Sequence, residues 1–323
     1  MRTGGPAHFF ISVESVDELR EALLWAEKEN VRIWVLGGGS NTLALDSGFP
    51  GLVIKISIQG VSYDEDGDTV RMTAGAGEIW DNVVESAVSR GLWGIENLSR
   101  VPGYVGGAVV QNIGAYGVEV RESILWVEVF DREEKNIKKF SCEESEFEYR
   151  KSIFKVKPQF IVLRVALELT RVDHPRTEYE DVKKYFIEQG IGAPSLAQIR
   201  NAIIAIREAK MPGATLGTAG SFFKNPVVSK EESMRIEHEF PGIKTFPVSA
   251  YTVKLSAAWL IDKVGGFRGV RQGDAGTYEK QALILVNYGN ATSSEIISLA
   301  ENIKNIIFKK TGVMLEEEVV TMK

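Results

Sequence analysis

The chain has 323 residues, 44% of them hydrophobic and 25% charged, with a formal net charge of −6. That length supports two or three domains with their own cores, and the acidic balance speaks against nucleic acid, which needs a concentrated basic face. A single cysteine, Cys142, excludes an internal disulfide or a cysteine-built zinc site.

The three histidines are scattered, so no metal site is expected. No stretch approaches the ~20 apolar residues that span a bilayer. A cytoplasmic protein with no membrane partner is the default expectation. The opening RTGGPAHFFISV reads as the interior of a structured segment, so any leader helix is expected to be short or missing. Ser15-Val16-Asp17-Glu18 has the pattern of a capping box and opens a helix with an apolar stripe of Leu19, Ala22, Leu23 and Ala26. Asn30 can end it. Residues 32–36 read as a strand that runs into Gly37-Gly38-Gly39-Ser40-Asn41. A glycine-rich loop after a strand offers converging N–H groups to a diphosphate. The spacing is neither GxGxxG nor GxxxxGK[ST], so the Rossmann and P-loop readings fail, and a flexible turn fits equally well. Residues 52–56 continue as a strand, 61–74 as a hairpin around Asp66-Gly67, and 79–90 as a helix closed by Gly91.

The stretch RVPGYVGGAVVQNIGAYG, residues 100–117, has five glycines and no charge after Arg100. Val101, Val105, Val109, Val110 and Ile113 forbid a solvated linker. A buried loop must satisfy its amides, and glycines let a ligand's oxygens approach the backbone closely. A phosphate-bearing cofactor and a sharp buried turn explain the stretch about equally well.

Strands follow near 124–131 and 137–140, then the cation- and aromatic-rich 149–155, then a strand over 159–169. A short helix is expected after Tyr179. Ser195 caps the next one, with Leu196, Ile199, Ile203 and Ile206 inside and Pro212 as its stop. A second unusual loop, 217–226, holds Ser221 between Gly220 and two phenylalanines, with Lys224 and Asn225 beyond. Ser229 caps a further helix, residues 254–264 read as another, 282–286 as a buried strand, and 296–307 as the inner face of a last helix ended by Gly312. The chain closes on Leu315-Glu316-Glu317-Glu318-Val319-Val320. Glu316 and Glu317 are expected to face solvent. No histidine sits in a Ser-His-Asp pattern, and these residues alone do not name a reaction.

VLGGGSNTL, VPGYVGGAVVQNIGAYG, YRKSIFK, GTAGSFFKNPVV, KLSAAWLID and LEEEV, in this order, resemble the UDP-N-acetylenolpyruvoylglucosamine reductases (UDP-N-acetylmuramate dehydrogenases) of bacterial peptidoglycan synthesis. The resemblance runs from Arg2 to Val319. It implies an α+β protein with a vanillyl-alcohol-oxidase-type (PCMH-type) FAD-binding fold of two subdomains and a C-terminal α+β substrate-binding domain. Expected boundaries are 1–58, with the strand 313–323 returning to it, then 59–209 and 210–312.

By the same resemblance, non-covalent FAD would be held by Gly37, Gly38, Gly39, Ser40 and Asn41. Pro102, Gly103, Gly106, Gly107, Gln111, Asn112, Gly114 and Tyr116 would complete that site. NADPH would be the hydride donor and UDP-N-acetylglucosamine enolpyruvate the substrate, in ping-pong order, on an expected monomer. Arg150 would clamp the substrate carboxylate, Glu318 would polarise it, and Ser221 would donate the proton. Lys210, Asn225 and Gln281 fall where the family contacts nucleotide-sugar phosphates and carboxylate, and Tyr179 matches a tyrosine that closes over the substrate in the longer-loop branch. The chain departs from the family pattern at Glu317, where proline is usual in L-E-P-E-V, at Val320, where arginine is expected, and at Tyr278, where histidine is frequent. Two other readings are a sugar or hydroxy-acid oxidase on the same fold and a non-catalytic nucleotide-sugar binder. The first is disfavoured because neither glycine-rich loop holds a histidine or cysteine to tether a flavin.

Overall fold

The computed structural model describes residues 1–213 and 215–323. Their contacts group into two units: a smaller one of Met1–Pro6, Ser40–Phe49 and Lys210–Lys323, and a larger one of Ala7–Gly39 and Pro50–Ala209.

In the larger unit, Ala7–Val13, Phe49–Ile56 and Arg32–Leu36 form a three-stranded sheet in that order, the last two parallel. The helix Val16–Lys28 starts at Ser15, whose Oγ accepts the Glu18 N–H at 3.2 Å. Its stripe is buried at Leu19, Ala22 and Ala26 and half-buried at Leu23. Asn30 turns the chain with a left-handed φ of 52°. A five-stranded antiparallel sheet follows, ordered Asn136–Ser141, Ile124–Asp131, Phe160–Thr170, Thr69–Gly75 and Val61–Asp66. Most of Phe160–Thr170 is buried, as a central strand covered on both faces must be. The stripe of helix Leu196–Lys210 packs with Trp93, Val182 and Phe186 in a satellite core.

In the smaller unit, Gly217–Ser221, Gln281–Asn287, Ala275–Tyr278 and Arg271–Gln272 form a four-stranded antiparallel sheet. The helix Ser293–Thr311 carries a full capping box from Thr292 and Glu295 and ends at Gly312, φ 77°. Asp46 also reaches its first turn, accepting the Ser293 and Ser294 N–H groups at 2.7 and 3.0 Å. That contact ties the excursion Ser40–Phe49 into this unit. The strand Val320–Met322 lies parallel to Thr42–Ala44.

Two elements differ from the sequence reading. Residues 105–110 form a short helix, Val105–Val110, rather than a continuous loop. Val105 and Val109 are buried by it, and Val101, Val110 and Ile113 are half-buried against the same core. The helix expected over 254–264 begins as a strand, Thr252–Leu255, which pairs on both sides with Val227–Ser229 and Thr245–Pro247. Ser256 then caps the turn Ala257–Trp259, which continues as a π turn over Leu260–Val264. Strand pairing of Lys254 and Leu255 outweighs helical periodicity there.

Candidate active site

In the larger unit the two glycine-rich turns meet. A β-carbon on Gly38 would lie 2.9 Å from the Gly103 Cα and 3.3 Å from the Tyr104 ring, so only glycine permits this approach. One residue either side the surface opens. A β-carbon on Gly37 would be 3.8 Å from the Gly107 nitrogen, and one on Gly107 would meet nothing within 4 Å. Gly106, on the inner side of Val105–Val110, donates its N–H to the Ala76 carbonyl at 2.9 Å. Two backbone turns stripped of side chains, side by side, are the cradle a diphosphate needs, so the residues present fit FAD. Pro102 precedes the helix and Gln111 caps its end. Ser40 and Asn41, next along the chain from Gly39, belong to the smaller unit.

Further along this loop the side chains are committed inside the fold. Asn112 is fully buried; its amide donates to Glu119 at 3.0 Å and to the Glu148 carbonyl at 2.9 Å, and its Oδ1 accepts the Arg121 N–H at 3.2 Å. Asn112 therefore builds the loop with its side chain. Its carbonyl and that of Gly114 receive the Arg150 guanidinium at 3.5 and 2.7 Å. Arg150 sits in a tight turn between Glu148 and Lys151 with a left-handed φ of 56°, a conformation that costs an arginine free energy. Gly114 makes the room, since a β-carbon there would lie 2.9 Å from an Arg150 nitrogen. The guanidinium is thus held in advance of any ligand.

Tyr116 and Tyr179 meet edge to face at 5.4 Å. Burial pushes the Tyr116 phenol up to about 12, against the pull of Arg207, and burial followed by Asp181 raises Tyr179. Both hydroxyls stay protonated at neutral pH. Tyr179 is also the N-cap residue of helix Glu180–Gln189. Beneath them Asn97, fully buried, donates its amide to the Tyr116 and Arg176 carbonyls, both at 3.0 Å, while its Oδ1 has no partner. Asp81 accepts Arg200 at 2.7 Å and the Arg100 N–H at 2.6 Å. Burial alone would raise its carboxyl, but these bonds and charges hold it below the usual range.

In the smaller unit, Ser221 ends its strand opposite Ile284, followed by the buried pair Phe222 and Phe223. The Glu318 N–H donates to the Phe222 carbonyl and the Lys224 N–H to the Glu316 carbonyl, both at 2.8 Å, with Phe223 and Glu317 bridged between them. This short antiparallel ladder brings Ser221 and Glu318 into one structural element. Asn41 secures the far side: its amide donates to the Glu318 carbonyl at 2.9 Å, and its own carbonyl accepts the Val320 N–H at 3.0 Å. Asn225 fixes a neighbouring loop through Oδ1, which accepts the Ala257 N–H at 2.9 Å. Gln281 opens its strand and Lys210 closes its helix, both half-buried. Tyr278 is buried against Ile284 and Val286, and Val320 begins the last strand.

Glu316 is exposed, as expected, but Glu317 is half-buried with its carboxylate 3.6 Å from Lys304. Sequence reasoning also passed over Asn97 and the Asp81–Arg200 pair. A polar Glu96-Asn97 inside the apolar run from Leu92 to Leu98 was the available signal for the first. Among the described residues no group of three His, Cys, Asp or Glu side chains is placed to hold a metal, and no helix is long and apolar enough to cross a membrane.

Comparison with known proteins bears on the family and the fold. Residues 7–138 match the FAD binding domain family, and residues 212–322 match the C-terminal domain of UDP-N-acetylenolpyruvoylglucosamine reductase. The reductase of that name from Flavobacterium johnsoniae is 42% identical over 96% of this chain and 92% of its own length. The one from Pseudomonas fluorescens is 41% identical over 97% and 92%. The crystal structure of the Thermus caldophilus reductase superposes with a TM-score of 0.68 and 28% identity, covering 97% of this chain and 92% of that one. The fold is the α+β, vanillyl-alcohol-oxidase-type FAD-binding fold followed by the reductase C-terminal domain. The chain belongs to the UDP-N-acetylenolpyruvoylglucosamine reductase family.

Proposed function

We propose that this chain reduces the enolpyruvyl group of UDP-N-acetylglucosamine enolpyruvate to give UDP-N-acetylmuramate, with NADPH as reductant, in cytoplasmic synthesis of peptidoglycan precursors. The observation that carries this reading is the ladder joining the Ser221 strand to Glu318, in a chain whose other unit offers a side-chain-free glycine cradle.

Gly37–Gly39 and the turns around Gly103 and Gly107 would hold FAD. When bound, FAD would supply the two-electron chemistry that couples NADPH to reduction at the terminal enolpyruvyl carbon. Negative charge would then develop on the adjacent carbon and the carboxylate. Arg150 would neutralise it, already fixed by the Gly114 carbonyl at 2.7 Å and so needing no reorganisation. Glu318, its backbone bonded on both sides, would polarise the same group. The Ser221 hydroxyl would give its proton to the carbanionic carbon and be reprotonated from solvent. A serine is a weak acid, but the acceptor is a strong base and a fixed contact makes the transfer efficient. Lys210, Asn225 and Gln281 would bind the nucleotide sugar on the domain expected at 210–312, and Tyr179 would cover it, with its protonated hydroxyl as a donor.

The test is the visible spectrum of the purified protein, followed by anaerobic NADPH reduction and reoxidation by the enolpyruvyl nucleotide sugar. A flavin spectrum bleached by NADPH and restored by that substrate is the expected result. Ser221→Ala should leave the bleaching intact and slow the restoration by about 10²–10⁴. Normal restoration in Ser221→Ala would remove the serine from the proton-donor role.

A further inference from the structure

Glu317 stands directly before the proposed polarising carboxylate, and its surroundings are specific. Leu315 and Val319 are buried and anchor the segment at both ends. Between them Glu316 pairs with Lys224 at 3.0 Å, and the half-buried Glu317 carboxylate lies 3.6 Å from Lys304. Lys304 sits on the rigid helix Ser293–Thr311, where Glu301 also grips it at 2.7 Å. Side-chain exposure is 22% for Lys304 and 31% for Glu317, so the pair is shielded better than an ordinary surface pair. Glu301, followed by Glu317, holds the ammonium above its usual range.

The ladder hydrogen bonds are made by the neighbours of Glu317, from Glu318 to Phe222 and from Lys224 to Glu316. Glu317 is therefore a non-hydrogen-bonded position of an antiparallel bridge, with its own N–H and C=O directed away from Phe223. The ladder holds the peptide unit on each side of Glu317 through the neighbour's half alone, the Glu316 carbonyl and the Glu318 N–H. The Glu317 side chain adds a further constraint at the one residue whose own backbone groups make no ladder bond.

We infer that Lys304 is a positioning residue: by holding the Glu317 carboxylate it fixes the backbone that presents Glu318. The inference rests on the role proposed for Glu318. A displacement of about 1 Å in a reacting group costs up to ~100-fold, so a weak pair can matter greatly for rate while adding little stability. The position also accepts another solution. Proline at 317 would lose no ladder bond, because the N–H it lacks is not used there, and the φ of Glu317 is not left-handed. A proline ring would restrict the backbone covalently where this chain uses an ion pair.

The experiment compares wild type, Lys304→Met, Glu317→Gln, Glu317→Pro and the double variant Lys304→Met with Glu317→Pro. Anaerobic stopped flow reads NADPH reduction and substrate reoxidation separately. Lys304→Met and Glu317→Gln should each slow reoxidation about tenfold and leave NADPH reduction within about twofold. Proline at 317 should restore the Lys304→Met enzyme to near the wild-type rate, which a merely structural lysine would not explain. Wild-type reoxidation in both single variants would overturn the inference, as would a defect that proline does not repair. Glu318→Gln separates the two levels. If it reoxidises normally, the role of Glu318 itself falls; if it is slow while Lys304→Met is normal, only the positioning role falls.

Discussion

Gly38 and Gly103 in the larger unit approach so closely that a single β-carbon would force them apart, and around them the backbone is bare. In the smaller unit the segment around Glu317 is built the opposite way, with Lys224, Lys304 and Asn41 each holding one point of a short ladder. One surface is prepared by removing side chains and the other by pairing them. Bare backbone recognises phosphate oxygens whatever carries them, whereas paired charges fix single atoms for a reaction. Damage to the first should therefore cost the cofactor, and damage to the second should cost a step.

The largest expected effect is on the bare surface. Gly38→Val places a β-carbon 2.9 Å from the Gly103 Cα, a contact relieved only by moving backbone. The variant should purify without visible absorbance and fail to recover it with added FAD, while its far-ultraviolet circular dichroism stays near wild type. A yellow Gly38→Val protein would show that the two turns do not form the cofactor cradle.

This contrast also explains what the sequence could disclose. Glycine at 37, 38, 103, 106 and 107 is legible because a missing side chain is a property of the residue itself. Likewise Ser15, Asn30, Gly91 and Gly312 mark helix ends through local bonds and local dihedrals. The partners of Glu317 are not legible, since Lys304 is 13 positions away on a helix and Phe223 far upstream, and nothing local couples them. For the same reason Arg150 reads as one cation among several, until its left-handed turn and the carbonyls of Asn112 and Gly114 distinguish it. The helix Val105–Val110 escaped notice because its two glycines disfavour a helix. Close packing on Ala76, 3.0 Å from where a Gly106 β-carbon would be, is the tertiary reason for one of them.

The next effect tests whether the larger unit contributes to a step as well as to binding. Arg150→Ala should slow reoxidation by the enolpyruvyl substrate about 10²–10³-fold, the range for losing one fixed electrostatic donor. NADPH reduction should change little. Equal losses in both half-reactions would mean that Arg150 shapes the cradle through Gly114 rather than stabilising substrate charge.

The smallest effect on chemistry, and a measurable one on stability, belongs to Asp81, a half-buried paired charge within the unit of bare turns. Its partner Arg200 is only 8% exposed, so Asp81→Asn strands a covered guanidinium. Breaking such a pair costs about 3 kcal/mol at pH 7. The pH dependence follows from the direction of the shift. The folded carboxyl lies below its ordinary value of 3.8, so its stabilisation is fully present above that value. It is lost as the pH falls through the lower, folded value. Urea unfolding of wild type and Asp81→Asn should therefore differ by a constant amount from about pH 5 to 8 and converge at more acid pH. A gap that persists undiminished to about pH 2 would mean that the carboxylate charge is not what holds Arg200 and Arg100 in place, and that shape alone accounts for the cost.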